Sequence, residues 1–468
     1  MYPLKVLSTW APFEIDALGL LTLLGANEVD MAVGRLAPSY WLEYMPLLAG
    51  FVFAGSRFRG KQPAFTLYNI SSGIVTGNLA AWFTRWMQVQ EFEVSRSIVY
   101  WEIAKVKAAH RRWKYFIVPA AISAFFNGLL IAITMLSGDW YGFANALSII
   151  FLIGARSYMI QASRDAIDRV VAAARPLPST FTGAVQDWQK KHGQKHQKPP
   201  ANGSPSGRPI TAPRPRLDSK QWRPEVAKIL VTMPDSKAVT MFIPEHLLRG
   251  VFVTETSILS PGLYRLAQWL GWVAFTVHVV TLGMAHLATQ LYIIALTVIP
   301  TVLTCYGFGC DDSRIYAWWR GLWDKKVRQP YIHWAGAHLK ATVFEWPMDV
   351  EFSKDEKGKI HRRKRNGDVV PRGKRSTARM DLYAWLDLSD EEQRSLWDWH
   401  LLPHQRGHDD TWWNDFEDKK SLIRENPPDI HSAKNSIQRG FEAASARWTW
   451  TFGGIAKDGK DIEKGHAA

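Results

Sequence analysis

Tyr115–Leu136 reads YFIVPAAISAFFNGLLIAITML and carries no charged side chain. A helix needs roughly 20 mostly apolar residues to cross the hydrocarbon core of a bilayer, and this stretch meets that length. Gly138-Asp139-Trp140 follows as a turn, and Tyr141–Ile160 supplies a second apolar run. Arg156 falls near the end of that run, where its long stem is expected to snorkel to the interface. The arrangement returns at Leu263–Leu287 and Gln290–Phe308. Only a turn separates these two runs, so they are expected to form an antiparallel hairpin. Pro300 should kink the last helix. One such run could be a buried core helix of a soluble protein. Two consecutive runs, twice, point to a membrane. Trp113–Gly154 and Leu266–Gly307 are equally long, but their residue identities barely match, which favours two independent hairpins over an internal duplication.

Composition agrees. The chain is 47% hydrophobic and 21% charged, but the two kinds are segregated. Residues 115–160 and 263–308 are almost free of acids and bases, whereas 175–228 and 354–379 are dense in Lys and Arg. A bilayer imposes segregation of this kind. Cys305 and Cys310 are the two cysteines, which excludes a disulfide framework and a four-Cys zinc site. The net charge of +14 suggests an acidic partner, anionic lipid or nucleic acid. The apolar stretch Ala17–Ala26 is short and follows Glu14 and Asp16, so it does not read as a signal peptide.

Two N-terminal segments are less apolar. Tyr40–Gly55 contains Glu43; Ala64–Thr84 contains Asn69 and Asn78, with Gly73 and Gly77 at a spacing that lets helices approach. One or both are expected as spans, giving five or six in all. Basic residues stay on the cytosolic side. Lys105–Lys114 precedes the first hairpin, and Arg164, Arg169 and Arg175 follow it. Arg249 and Arg265 precede the second, and Arg314, Arg320, Lys325 and Lys326 follow. Both hairpins therefore enter and leave from the cytosol. Arg57, Arg59 and Lys61 argue for one span before them and an N-terminus outside; six spans would turn those three residues outward.

The fold class read from these signals is a polytopic α-helical membrane protein. It has two transmembrane hairpins, one or two further N-terminal spans and a cytosolic mixed α/β portion. Residues 1–114 hold the N-terminal spans (40–55 and 64–84) and a cytosolic amphipathic helix. Residues 115–160 are hairpin 1, and 176–224 are a disordered basic linker rich in Pro, Gly and Ser. Residues 225–262 are a cytosolic β-hairpin segment, 263–308 are hairpin 2, and 314–468 are a basic, Trp-rich α/β region. Within them, Lys228–Met233 and Ala238–Ile243 read as strands around Pro234-Asp235-Ser236. Ala341–Phe352 is the expected further strand. Ser389 with Glu392 forms a capping box that opens a helix, and Pro403 closes it.

Four constellations could carry chemistry. His400, His404 and His408 are spaced as metal ligands on one helix face would be, but Pro403 and Gly407 break that helix, so no metal is expected. His278 and His286, read as lying within one span, are transport-path candidates together with Asn127 and Asn145. Polar helix–helix contacts explain the same residues. The basic run supplies lipid-contact candidates in Arg362, Arg363, Lys364, Arg365, Arg372, Lys374 and Arg375. Cys305 and Cys310 adjoin Asp311 and Asp312, too few groups to fix a metal. The chain has no GxxxxGK[ST] loop, GxSxG elbow, HExxH or strand-linked GxGxxG.

The sequence leads first to a membrane-anchored scaffold or interaction protein with no cofactor. Its partners would be the bilayer, anionic headgroups and other proteins, with no nucleic acid. A small-solute transporter or channel using the polar helix faces is the alternative. A membrane-bound lipid-modifying enzyme acting through His400–Asp410 is the second.

Overall fold

The structure is a computed structural model that describes residues 6, 26–48, 50, 54–55, 57–90, 92–104, 113–174, 226–310, 331–345, 350–364, 377–403 and 410–425. The chain opens with α1 (Ala26–Gly34), β1 (Thr66–Asn69), β2 (Ile74–Thr76), α2 (Ala81–Val89) and β3 (Ser97–Ile103). It continues with α3 (Trp113–Ser137), α4 (Trp140–Ala173), β4 (Val226–Thr232), β5 (Ala238–Pro244), α5 (Pro261–Met284) and α6 (Leu287–Cys305). Then come β6 (Tyr331–Ala335), β7 (Leu339–Glu345), β8 (Val350–Lys354), β9 (Ile360–Lys364), α7 (Arg379–Trp385), α8 (Asp390–Asp398) and α9 (Thr411–Glu425).

Seven strands form one mixed sheet in the order β2-β1-β4-β5-β3-β7-β6. Every neighbouring pair is antiparallel except β3 with β5. Both apolar helix pairs are insertions between strands of this sheet: α3–α4 between β3 and β4, and α5–α6 between β5 and β6; the expected second hairpin is corrected, since α5 packs along α4 rather than along α6. The strand-to-helix junctions therefore lie at one end of the helices, and the short turns 138–139 and 285–286 lie at the other. Asp139 ties those two turns together. Its Oδ1 accepts from Gly142 N at 2.8 Å and its Oδ2 from His286 N at 2.9 Å.

Four helices, α3 through α6, are long and apolar enough to cross a membrane. Their outward faces carry uncovered apolar residues: Phe116, Phe125 and Met135 on α3, and Leu263, Trp269, Val273 and Val280 on α5. A water-soluble core helix would have these covered.

Both faces of the sheet are covered. One packs Val99, Trp101, Val231, Met241 and Ile243 against α2 and the sheet-end half of α4, through Met159, Ile160, Ile167 and Val171. The other packs Ile98, Leu230 and Phe242 against Leu382, Trp385, Leu396 and Phe416 of α7, α8 and α9. A third cluster lies among the long helices and includes Leu130, Ala146, Ile149, Leu282, Ile293 and Leu296. The continuous helix α4 thus joins the bundle to the sheet, and Tyr264 and Ala267 of α5 enter the same sheet-side cluster.

Several expectations are corrected. Residues 64–84 do not form a span. They form β1, a turn, β2 and the start of α2. Their apolar content is sheet core: Phe65, Leu67, Leu79, Trp82 and Phe83 are buried in the cluster under the sheet. Gly73 takes φ +71° in the β1–β2 turn, a left-handed value that glycine adopts freely. Tyr40–Leu48 forms consecutive turns rather than a spanning helix. α1 lies on the sheet side, since Asp30 pairs with Arg85 of α2 at 2.9 Å.

The β4–β5 hairpin forms with Ser236 at φ +61° in its turn. The Ala341–Phe352 stretch divides. Its first part is β7, in the same sheet but beside β3, because β3 intervenes parallel to β5. Its last part begins β8, which pairs with β9 in a separate two-stranded sheet. The capping box is present, with Ser389 Oγ accepting from Glu392 N and Glu392 Oε2 from Ser389 N. Residues 176–224, expected as a linker, lie outside the described residues.

Candidate functional site

The concentration of buried polar chemistry lies where residues 36–54 push into the bundle. A helix satisfies its own backbone; residues 36–48 are not helical and cannot, and an unpaired buried carbonyl is costly, whereas Ala54 N donates to Gly50 O in helical fashion at 3.3 Å. Side chains from the long helices supply the missing partners. Arg156 Nη2 donates to the carbonyls of Glu43 and Met45, both at 2.7 Å. Arg164 Nε donates to Leu36 O at 2.9 Å, and its Nη1 meets Glu43 Oε1 at 2.6 Å. Ser123 Oγ donates to Tyr44 O at 2.6 Å, and Thr301 Oγ1 accepts from Leu48 N at 2.8 Å. The other Glu43 carboxylate oxygen accepts from Ser39 N at 3.1 Å.

Heights along the bundle follow from the helical rise of 1.5 Å per residue. Measured from the far turns, Arg164 stands at about 36 Å, Arg156 at about 24 Å, and Ser123 and Thr301 at about 21 Å. Gly50 lines the same cavity as Phe275 and Leu152, and a Cβ on it would touch both; these stand at about 14 and 18 Å. Ala54 lies against Gly271, at about 20 Å. Arg57 is back at the sheet end, where its carbonyl accepts from Arg85 of α2. The described residues of the segment therefore place its start and Arg57 at the sheet end and Gly50 at mid-height.

Arg156 does not snorkel. It is 3% exposed and turned inward onto the segment. Glu43, a blemish in an apolar run when read alone, is the acceptor that Arg164 needs. Neither pairing has a local sequence signal, because the partners are more than a hundred residues apart.

The structure brings together two of the four transport-path candidates. Asn145 Nδ2 donates to His278 O at 2.8 Å and to Thr281 Oγ1 at 3.0 Å. Asn145 Oδ1 is then the acceptor for His278 Nδ1 at 3.0 Å. This bond places a proton on Nδ1. Asn127 instead bonds within α3, to Ser123 O at 2.8 Å and Ser123 Oγ at 3.1 Å. His286 does not lie in the same helix as His278. α5 ends at Met284, and His286 is the residue before α6 in the far turn. The two histidines share no face.

A cavity of about 20 Å³ lies beside the segment, lined by Leu47, Gly50, Arg156, Phe275, His278 and Thr297 among others. That is room for about one water molecule.

The other candidates are dispersed. His400 follows α8 with φ +57°, and its N–H donates to Trp397 O at 2.9 Å. His404 and His408 lie outside the described residues. Among the described residues no three His, Cys, Asp or Glu side chains are grouped to hold a metal. Arg362, Arg363 and Lys364 lie in β9, opposite Phe352, Glu351 and Val350 of β8. Arg365, Arg372, Lys374 and Arg375 lie outside the described residues. Cys305 and Cys310 do not form a disulfide. No protein-family model, no curated protein and no solved structure matches the chain.

Proposed function

We propose that the chain is a membrane-anchored interaction platform. Its four long helices cross the bilayer as two helix pairs, residues 36–54 form a re-entrant segment, and the seven-stranded sheet is held at the cytosolic surface. The observation that carries this reading is α4, one continuous helix (Trp140–Ala173) whose Ile149 packs in the bundle and whose Ile167 and Val171 pack under the sheet. A sheet joined in this way has its orientation to the membrane set by the fold. Irregular backbone at membrane depth is tolerated only where protein or trapped water satisfies it, and the clamp of Arg156, Arg164, Ser123 and Thr301 supplies those partners. The cytosolic side follows from the basic residues at the sheet end, Arg57, Lys61, Arg169, Arg249 and Arg265.

The test is reconstitution of the full chain into liposomes, read for flux across a panel of ions and small solutes and for binding of anionic against neutral vesicles. The platform reading expects no saturable flux and salt-sensitive binding to anionic vesicles. Saturable flux lost in His278→Leu would replace it with transport. The cavity beside Gly50 favours that second reading: Arg156, the His278 imidazole and Thr297 line it at mid-height, and a solute path would need residues 36–54 to withdraw.

A further inference from the structure

We infer that the ledge at the sheet end of α5, Thr254–Arg265, binds the headgroup of an anionic phospholipid. The inference rests on the reading of the helices as membrane spans and adds a partner and a place.

Leu259 is 76% exposed, an unusual state for a leucine beside a covered sheet. It stands just before Pro261, the first residue of α5. Leu263, Leu266 and Trp269 continue the uncovered apolar stripe up the helix, with Trp269 71% exposed. Arg265, also exposed, interrupts the stripe. It stands about 28 Å from the far end of α5 by helical rise, close to the roughly 30 Å thickness of a hydrocarbon core. Arg265 therefore marks the membrane boundary, with Leu259 at headgroup level.

Two guanidinium groups bracket the ledge. Arg59 Nη2 donates to Thr256 O at 3.1 Å, with the guanidinium carbon 5.7 Å above the Tyr264 ring. Arg169 Nη2 donates to Ser257 O at 2.8 Å. Arg57 and Lys61 flank Arg59 and are exposed. The nearby acids are largely engaged. Glu255 pairs with Arg59 at 3.7 Å and accepts from Ala81 N, and Asp168 accepts from Ala337 N. Asp165 is exposed and accepts from Gln161 Nε2 at 3.1 Å. Against that one exposed carboxylate stand Arg57, Lys61, Arg169 and Arg265. A phosphodiester offers the acceptor oxygens that guanidinium donors match. Its acyl chains would lie along Leu266 and Trp269, with its glycerol backbone against Leu259 and Leu263. A lipid satisfies the charge and the apolar stripe together; a free anion satisfies only the charge.

The experiment uses the full chain in nanodiscs with spin-labelled phosphatidylserine or phosphatidylcholine, reading the motionally restricted fraction of each. The wild type is expected to prefer phosphatidylserine. Arg169→Gln with Arg265→Gln should cut that preference by about five-fold per arginine, and Leu259→Gln should weaken retention of the same lipid. Lys357→Gln with Lys359→Gln, in the β8–β9 turn away from the ledge, should leave it unchanged. No preference in the wild type, an unchanged preference in the double arginine variant, or an equal loss in the distal variant would overturn the inference. Full displacement by millimolar inorganic phosphate would reassign the ledge to a free anion and overturn it as well. If the chain enters neither lipid, the reading of spans beneath it fails; if it enters both equally, only the ledge fails.

Discussion

Arg164 Nη1 lies 2.6 Å from Glu43 Oε1, and both side chains are largely buried. The arginine is on α4 and the glutamate on the segment that pushes into the bundle. Arg164 also holds Leu36 O, so one guanidinium fixes the point where the chain enters and the acid that follows it. Eight residues earlier on the same helix, Arg156 holds Glu43 O and Met45 O. The segment is thus gripped at two levels by one rigid element.

Removing one member of a buried charged pair leaves the other without compensation, which costs several kcal/mol. Arg164→Ala should destabilise the protein by about 3 kcal/mol, read as a shift in the midpoint of detergent-titrated unfolding. Glu43→Ala should cost a similar amount, and the double variant clearly less than the sum. Strict additivity would mean the two residues do not interact.

The path of residues 36–54 predicts sidedness. In a Cys305→Ser, Cys310→Ser background, an impermeant thiol reagent should label Lys61→Cys from the same side as Ser236→Cys in the β4–β5 turn. Tyr141→Cys, beside the far turn, should be labelled only from the other side. Labelling of Lys61→Cys and Tyr141→Cys from one side would rule out the re-entrant path.

The pair formed by Asn145 and His278 joins α4 to α5. Interhelical hydrogen bonds of this kind contribute about 0.6 kcal/mol and up to about 1.7. His278→Leu and Asn145→Leu should each lower stability by about 1 kcal/mol, with strong coupling in a double-mutant cycle. The absence of coupling would separate them.

At Gly142 a Cβ would come within 2.6 Å of Asp139 Oδ2 and 2.7 Å of Thr289 Cγ2. Asp139 is the residue that ties the two far turns together. Gly142→Ala should therefore cost about 1–3 kcal/mol by overpacking, whereas Gly128→Ala on α3, where a Cβ meets nothing within 4 Å, should be neutral or slightly stabilising. Equal melting midpoints for the two variants would contradict this packing.

The readings that succeeded rest on local rules. An apolar run such as Tyr115–Leu136 is bounded by its own composition, the β4–β5 hairpin by its turn residues, and the Ser389 cap by a contact three residues away. The sequence alone therefore determined the four long apolar helices, the short turns that join them two by two and the start of α8; that α5 packs along α4 rather than along α6 was not legible in it. It misassigned 64–84 because apolarity does not distinguish a span from buried sheet core: Leu67 is buried by β4 and α2, not by lipid.

Only the tertiary structure decided that one sheet is interrupted by both helix pairs, that β3 lies between β5 and β7, parallel to the first and antiparallel to the second, and that the chain around Glu43 and Met45 enters the bundle. Each of those depends on a partner far away in the chain. A carbonyl such as Met45 O can leave helix geometry inside an apolar bundle only when Arg156 is there to receive it, and nothing in the neighbourhood of residue 45 records that donor.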